Sequence, residues 1–353
     1  MIEIDGSYGE GGGQIIRTAL SLSCLFQQPF RIFNIRKNRR KPGLRPQHLT
    51  CVKAAQQITG ATVRGDYRES AELFFSPGKV RSGCFSFDIG TAGSTSLVLQ
   101  TLIPALAFSG HETSITLTGG THVPFSPSFH YLSTVFLRFL EKIGIRVRLS
   151  LEAYGFYPRG GGRIQADIFP AERINPLVIT DRGSLLELFG HSGVGNLPLS
   201  IAERQRNAFL KKIMLILKNL REPMDIDLLD VKTPGKGTFL DIAARFDQSI
   251  AGFTGLGAIG KKAESVGEEA AGEYIKYFRT DAAVDSHMAD QICLYLSLCN
   301  RESYFTASAI TNHLLTNLWV IGLFHEIRYS LKGEPGEKGT LRIQGLKDFP
   351  VCN

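Results

Sequence analysis

The chain has 353 residues, 43% of them apolar, and a formal net charge of +7. That length is expected to give two domains, or one large domain with an insertion. No run of eighteen or more apolar residues occurs, which argues against a membrane-spanning helix. Residues 1–13 lack the basic and apolar regions of a secretory leader, so the expectation is a soluble cytoplasmic protein with no membrane partner.

In chain order, the opening D-G-S-Y-G-E-G-G-G-Q-I-I-R sets five glycines before an apolar helix. Backbone amides at such a turn can approach an anion, helped by the helix N-terminus. Glu10, Gln14 and Arg17 would share one side of it. An arginine on an apolar helix is costly to bury without a partner; a tight turn with a solvated arginine is the plainer reading. A β-rich run, PFRIFNIR, follows. Arg31, Arg36, Lys37, Arg39, Arg40, Lys41 and Arg45 then fall within fifteen positions, which fits either nucleic acid binding or a solvated basic face.

Two kinds of segment recur. A turn leading into an apolar helix occurs at 11–23, 93–107 and 287–299. A helix with a histidine near its start, leading towards a strand, occurs at 47–65, 129–149 and 312–331, so that His48, His130 and His313 match in position. Alternating or β-rich runs (CFSFDIG, TSITLTGG, RIQADIF) lie between them. Each unit reads as βαβαββ, and helices on one face of a sheet give an α+β layer architecture. The third copy is interrupted. Its strand signals begin near 176–180, but its first helix starts only at His287. An insertion over 181–279 is predicted, with helices at 201–220 and 262–278 and strands at 224–231 and 238–245, so that 1–180 and 280–353 form one large domain.

Several polar residues stand out. Gln100 sits inside LVLQTLIPALA, where a lone amide must find hydrogen bonds. His287, Asp290 and Gln291 share a helix face opposite Met288, Ile292, Leu296 and Cys299. His313 precedes a strongly apolar helix. GFYPRGGGR at 155–163 is a Pro/Gly loop with two arginines, its three glycines suited to close backbone approach. TGLGAIGKK at 254–262 satisfies G-x-G-x-x-G, yet Lys262 stands where a P-loop needs Ser or Thr; a basic turn before a helix is the better reading. Cys24, Cys51, Cys84, Cys293, Cys299 and Cys352 are scattered, with no C-x-x-C pair, and most read as buried reduced thiols.

Together these segments resemble the RNA 3′-terminal phosphate cyclase family. The matching pieces are DGSYGEGGGQIIRTALSLS, IRKNRRKPGLRPQHLTCVKAA, GTAGSTSLVLQTLIPAL, GFYPRGGG, AAVDSHMADQ and NHLLTNLWV, in the family's order and over nearly the whole chain. The resemblance implies three βαβαββ repeats like those of the enolpyruvyl transferases, with a small thioredoxin-like α/β domain inserted. It implies an ATP-dependent conversion of an RNA 3′-phosphate to a 2′,3′-cyclic phosphate, with Mg²⁺ or Mn²⁺ as the metal and RNA as the partner, and it admits an oligomer. By position, His313 would take AMP, with Arg17 as a second catalytic residue. Gln100, Pro127, His287, Met288, Ala289, Asp290 and Gln291 would form the nucleotide site. Arg36, Arg39 and His48 would meet phosphates, and Glu10 the metal. His287 stands where the family carries an aromatic residue, and Tyr154 where it carries a basic one. Two rivals are a non-catalytic relative that binds RNA in ribosome assembly and an enolpyruvyl transferase.

Overall fold

The computed structural model describes residues 1–217 and 222–345. The end of the helix expected over 201–220 and Cys352 therefore lie outside the described residues.

The first unit contains β1 (Ile2–Asp5), α1 (Gly13–Phe26), β2 (Phe30–Phe33), α2 (Pro46–Thr59), β3 (Thr62–Arg64) and β4 (Leu73–Ser76). Pro46 opens α2, where its missing N–H costs nothing, and Gly60 closes it in the left-handed conformation. The second unit contains β5 (Cys84–Asp88), α3 (Thr95–Ala107), β6 (Thr113–Gly119) and α4 (Phe129–Tyr131). A π-helical turn (Leu132–Phe136) joins α4 to α5 (Leu137–Lys142), and β7 (Val147–Ala153) and β8 (Gly162–Ile168) complete the unit. The helix expected at the start of 129–149 is thus locally widened. The Ser94 side chain accepts the Leu97 N–H and starts α3.

The third unit begins with β9 (Val178–Ile179). The chain then leaves it for β10 (Leu185–Gly195), α6 (Ser200–Ile216), β11 (Met224–Asp230), β12 (Gly237–Phe246), β13 (Ile250–Leu256) and α7 (Ala263–Phe278). It returns with α8 (Ser286–Leu296), β14 (Ser303–Ala307), α9 (Asn312–Phe324), β15 (Arg328–Lys332) and β16 (Gly339–Gln344). The glycine-rich segment at 254–262 is the end of β13 and the turn into α7. It belongs to no βαβ nucleotide fold, because β13 pairs antiparallel with β12.

The three units share one topology, with strand orders β1-β2-β4-β3, β5-β6-β8-β7 and β9-β14-β16-β15. In each, the first two strands are parallel and the rest antiparallel. Burial alternates along the strands, as in β6 and β8, so each sheet turns one face towards the helices. At the centre α1 packs against α2, α3 and α9, and α8 packs against α9. One hydrophobic core runs through all three units, and a second, with Phe209, Tyr274 and Phe253, fills the intervening segment. That segment forms its own sheet, β11-β10-β12-β13, against which α6 and α7 pack. Its Ala243 and Ile250 join the larger core, so it is docked rather than tethered. Cys24, Cys51, Cys293 and Cys299 are buried and unpaired, and Cys84 is exposed.

Candidate active site

The repeat topology brings the N-terminal ends of α1, α8 and α9 together at one cleft of about 490 Å³. Gln14 and Arg17 line it from α1, Gln100 from α3 and Pro127 from the loop before α4. His287, Asp290 and Gln291 line it from α8, and His313 and Asn317 from α9. Residues up to about 300 positions apart in sequence thus share one cavity. Met288 and Ala289, expected at the nucleotide site, are fully buried in the core instead. Helical spacing turns them away from His287, Asp290 and Gln291.

His313 sits in the first turn of α9, which Thr311 caps by accepting the Leu314 N–H. Gln14 grips it at two points. The amide Nε2 donates to the His313 carbonyl at 2.7 Å, and Oε1 meets the ring at Nδ1. Since Nε2 of Gln14 is committed as a donor, its Oε1 must accept, so Nδ1 of His313 carries the proton. The lone pair is left on His313 Nε2. Burial holds this imidazole below its ordinary pKa; Glu10 opposes that, while Arg17, Arg39 and His287 reinforce it. The ring is therefore neutral and nucleophilic at pH 7.

Glu10 Oε2 lies 3.5 Å from His313 Nδ1 and accepts from Arg39 Nη2 at 3.2 Å. Arg39 and Glu10 thus flank the glycine loop and the uncapped start of α1. His48 is buried beside this start. Its Nδ1 accepts the Arg45 N–H at 3.2 Å, so Nε2 carries the proton, and a Cβ on Gly13 would lie 2.1 Å from that atom. Only glycine allows this approach. Burial, with Arg17, Arg36 and Arg45 nearby, lowers the His48 pKa to about 3. Arg36, at φ +54°, donates to the carbonyls of Lys41 (2.7 Å) and Gly43 (3.2 Å). It shapes the loop and does not line the cleft. The basic run is partly spent on ion pairs: Arg31 with Glu3 and Glu72, Arg45 with Glu69.

Arg17 is half-buried, and burial lowers its pKa. Among the described residues its guanidinium has no hydrogen bond or ion pair. Across from it, burial and the neighbouring Asp285 push the Asp290 carboxyl well above the usual range. Gln100 Nε2 donates to Gln291 Oε1 at 2.6 Å, ordering both amides. Asp285 caps α8 and accepts from the Tyr131 hydroxyl at 2.9 Å.

The inserted segment supplies a wall that sequence reasoning missed: Gly252, Phe253, Thr254, Glu273, Lys276 and Tyr277 line the same cleft. Nothing in the spacing of EYIKYF marks Lys276, since a lysine on a helix is ordinarily solvated. Of the three matching histidines only His313 faces the cleft. His48 is packed under the glycine loop, and His130 contacts His122, Tyr154 and His191.

Gln14→Ala is expected to lower the rate of any reaction at His313 Nε2 by about 10- to 100-fold and to shift its acid limb. With the wild-type chain that limb lies below the ordinary imidazole value of about 6.5, because the neutral ring is favoured; freed from Gln14, the ring populates the other tautomer. A pH–rate profile of covalent labelling checks this. An unchanged profile would show that Gln14 serves packing alone.

The fold and cleft define a class: a repeat-built α+β protein whose cleft sets a neutral imidazole beside arginine and amide side chains. The description of the matching family profile, over residues 8–331, is RNA 3′-terminal phosphate cyclase. The chain belongs to the RNA 3′-terminal phosphate cyclase family. The RNA 3′-terminal phosphate cyclase of Sulfolobus acidocaldarius is 48% identical over 336 residues, 94% of this chain and 97% of that one. That of Methylococcus capsulatus is 42% identical over 353 residues, 98% and 97% of the two chains. That of Thermococcus kodakarensis is 42% identical over 342 residues, 97% and 98%. The enolpyruvyl transferase NikO from Streptomyces tendae gives a TM-score of 0.28 at 17% identity, over 48% of this chain and 33% of that one, too slight to argue from. Among the described residues no helix is long and apolar enough to cross a membrane.

Proposed function

We propose that this protein is an ATP-dependent RNA 3′-terminal phosphate cyclase, a cytoplasmic enzyme in which His313 is the AMP acceptor. The observation that carries this reading is the Gln14 grip on His313, which leaves an uncharged Nε2 lone pair at the cleft beside Arg17. His313 Nε2 attacks the α-phosphorus of ATP; an N–P bond forms as the α–β P–O bond breaks and pyrophosphate leaves. An oxygen of the RNA 3′-phosphate then attacks the same phosphorus and displaces the imidazole, giving RNA-(3′)pp(5′)A. Finally the neighbouring 2′-hydroxyl attacks the 3′-phosphorus and expels AMP. That last step is intramolecular, and AMP is a far better leaving group than oxide.

Gln100, Pro127, His287, Asp290 and Gln291 form the nucleotide side of this cleft. Arg39 and the amides at the start of α1 form the phosphate side, with His48 packed beneath the glycine loop and Arg36 supporting it. Glu10 is a partly exposed carboxylate beside His313, the hard oxygen donor that Mg²⁺ or Mn²⁺ takes together with phosphate oxygens. A bound divalent ion would supply charge neutralisation on the transferring phosphoryl group.

The two cores support a domain reading of 1–180 with 280–353 as an enolpyruvyl-transferase-like repeat domain and 181–279 as a thioredoxin-like insertion. The order β11-β10-β12-β13, with β12 antiparallel to both neighbours and α6 against α7, supports the latter.

The test is incubation with α-³²P-ATP and Mg²⁺. Acid-labile, alkali-stable label should appear on the protein and chase onto RNA ending in a 3′-phosphate, but not a 3′-hydroxyl, with cyclic phosphate produced. A folded protein that binds RNA yet takes no label would instead match a non-catalytic relative.

A further inference from the structure

Outside the cleft, at the seam between the second unit and the insertion, lies a second polar cluster, two of its three members buried and His130 half-buried. His122 follows β6 and His130 lies in α4, both in the second unit, whereas Asp241 belongs to β12 of the insertion. One ligand-competent atom from each lies within 4.8 Å of the others. His122 and Asp241 are 2% and 4% exposed. Their facing atoms, His122 Nε2 and Asp241 Oδ2, form an ion-pair contact at 3.2 Å, and neither has a hydrogen-bond partner among the other described residues. A buried pair of this kind is costly to desolvate and is stabilised by a further charge-matched partner.

We propose that His122, His130 and Asp241 form a structural site for a divalent transition-metal ion of the zinc type, stapling the insertion to the second repeat.

The outward atoms of two of these side chains are already held, as metal ligands require. His122 Nδ1 contacts Thr121 Oγ1 at 2.9 Å, and that hydroxyl is fixed by the Gly155 N–H at 3.0 Å. Asp241 Oδ1 accepts from Ser128 Oγ at 2.7 Å and from Thr254 Oγ1. The remaining atoms, His122 Nε2 and Asp241 Oδ2, face each other at a spacing close to the roughly 3.4 Å that ligand bonds of about 2.0–2.1 Å give in a tetrahedron. The His130 ligand nitrogen lies within 4.8 Å of the other two, and metal binding would draw it in to close the third edge. Tyr154 Oη, 3.1 Å from His130 Nε2, or a water supplies the fourth position.

Phe239 and Phe156 pack on His122 at ring-centroid distances of 4.4 and 5.9 Å. A cavity of about 20 Å³ lined by Asp241, His130 and His191, though not by His122, adjoins the cluster, with room for a water. Two imidazoles and one carboxylate suit zinc, and the closed apolar surround suits a structural role rather than a catalytic one with an open position. Thr254, which holds Asp241, also lines the catalytic cleft, so the staple would set the position of the cleft's insertion wall.

The test uses the full chain, stripped by a chelator and then exposed to Zn²⁺ or Co²⁺. The expected result is one zinc per chain retained through gel filtration, a raised Tm, and intense visible absorption on Co²⁺ binding that Zn²⁺ bleaches. Asp241→Asn and His130→Asn should each weaken retention by at least about 10-fold, while Glu10→Gln and His313→Asn, at the other site, retain the ion. Circular dichroism confirms that the variants fold. Should they not, X-ray absorption on the wild-type zinc form decides: two imidazoles and oxygen at about 2.0–2.1 Å support the site. Sulfur in that shell, no retained zinc, or equal retention in the Asp241 and His130 variants would overturn it, leaving a buried His–Asp ion pair.

Discussion

His313→Ala and His313→Asn should abolish transfer of label from α-labelled ATP to the protein and reduce cyclisation by more than about 10⁴-fold, as loss of a covalent nucleophile does elsewhere. The asparagine variant is the more informative. It lacks a nucleophilic nitrogen, yet keeps a hydrogen-bonding amide near the place of Nδ1, so α9 and its Thr311 cap should survive and RNA and ATP should still bind. Labelling in either variant would move the nucleophile elsewhere. His287, which lines the same cleft, would be the next residue to change. Adding back imidazole to the alanine variant is a further check, since a free base can occupy the space and accept AMP only if the cleft rather than the side chain positions the nucleotide.

Arg17→Ala should lower adenylylation by about 10²- to 10³-fold, the usual loss when one donor aimed at developing phosphoryl charge is removed. Arg17→Lys should recover only part of it, because an ammonium keeps the charge but not the planar fork. The structure adds a stability expectation of opposite sign. Arg17 is half-buried with no ion pair among the described residues, and burial lowers its pKa. Its charge is thus a cost that the ligand-free protein bears. Arg17→Met should therefore raise stability by about 0.5–2 kcal/mol, in the range of other relieved functional sites, while activity falls. Thermal melts with labelling assays on the same samples test both halves. A variant that loses activity and stability together would make Arg17 a structural residue.

The repeat was legible in the sequence because its signals are local. Apolar periodicity marks α1, α3 and α8, Pro46 and Gly60 bracket α2, and the alternation in TSITLTGG marks β6. Burial on one face of each element dictates these patterns whatever the partner. The interruption was legible too, since a strand signal near 178 had no helix after it until 287. His313, Asp290 and Gln291 stood out as polar residues at the starts of apolar helices.

What the tertiary structure alone decided is which of three matching histidines would face a cleft. His48, His130 and His313 occupy equivalent places, but each repeat packs against different neighbours: the glycine loop over His48, the insertion against His130, and Gln14 beside His313. The contribution of Lys276 and Thr254 to the cleft wall and the convergence of His122, His130 and Asp241 were likewise unreadable. They depend on how the inserted segment docks, and docking is set by surface complementarity between parts far apart in sequence, which no local periodicity records.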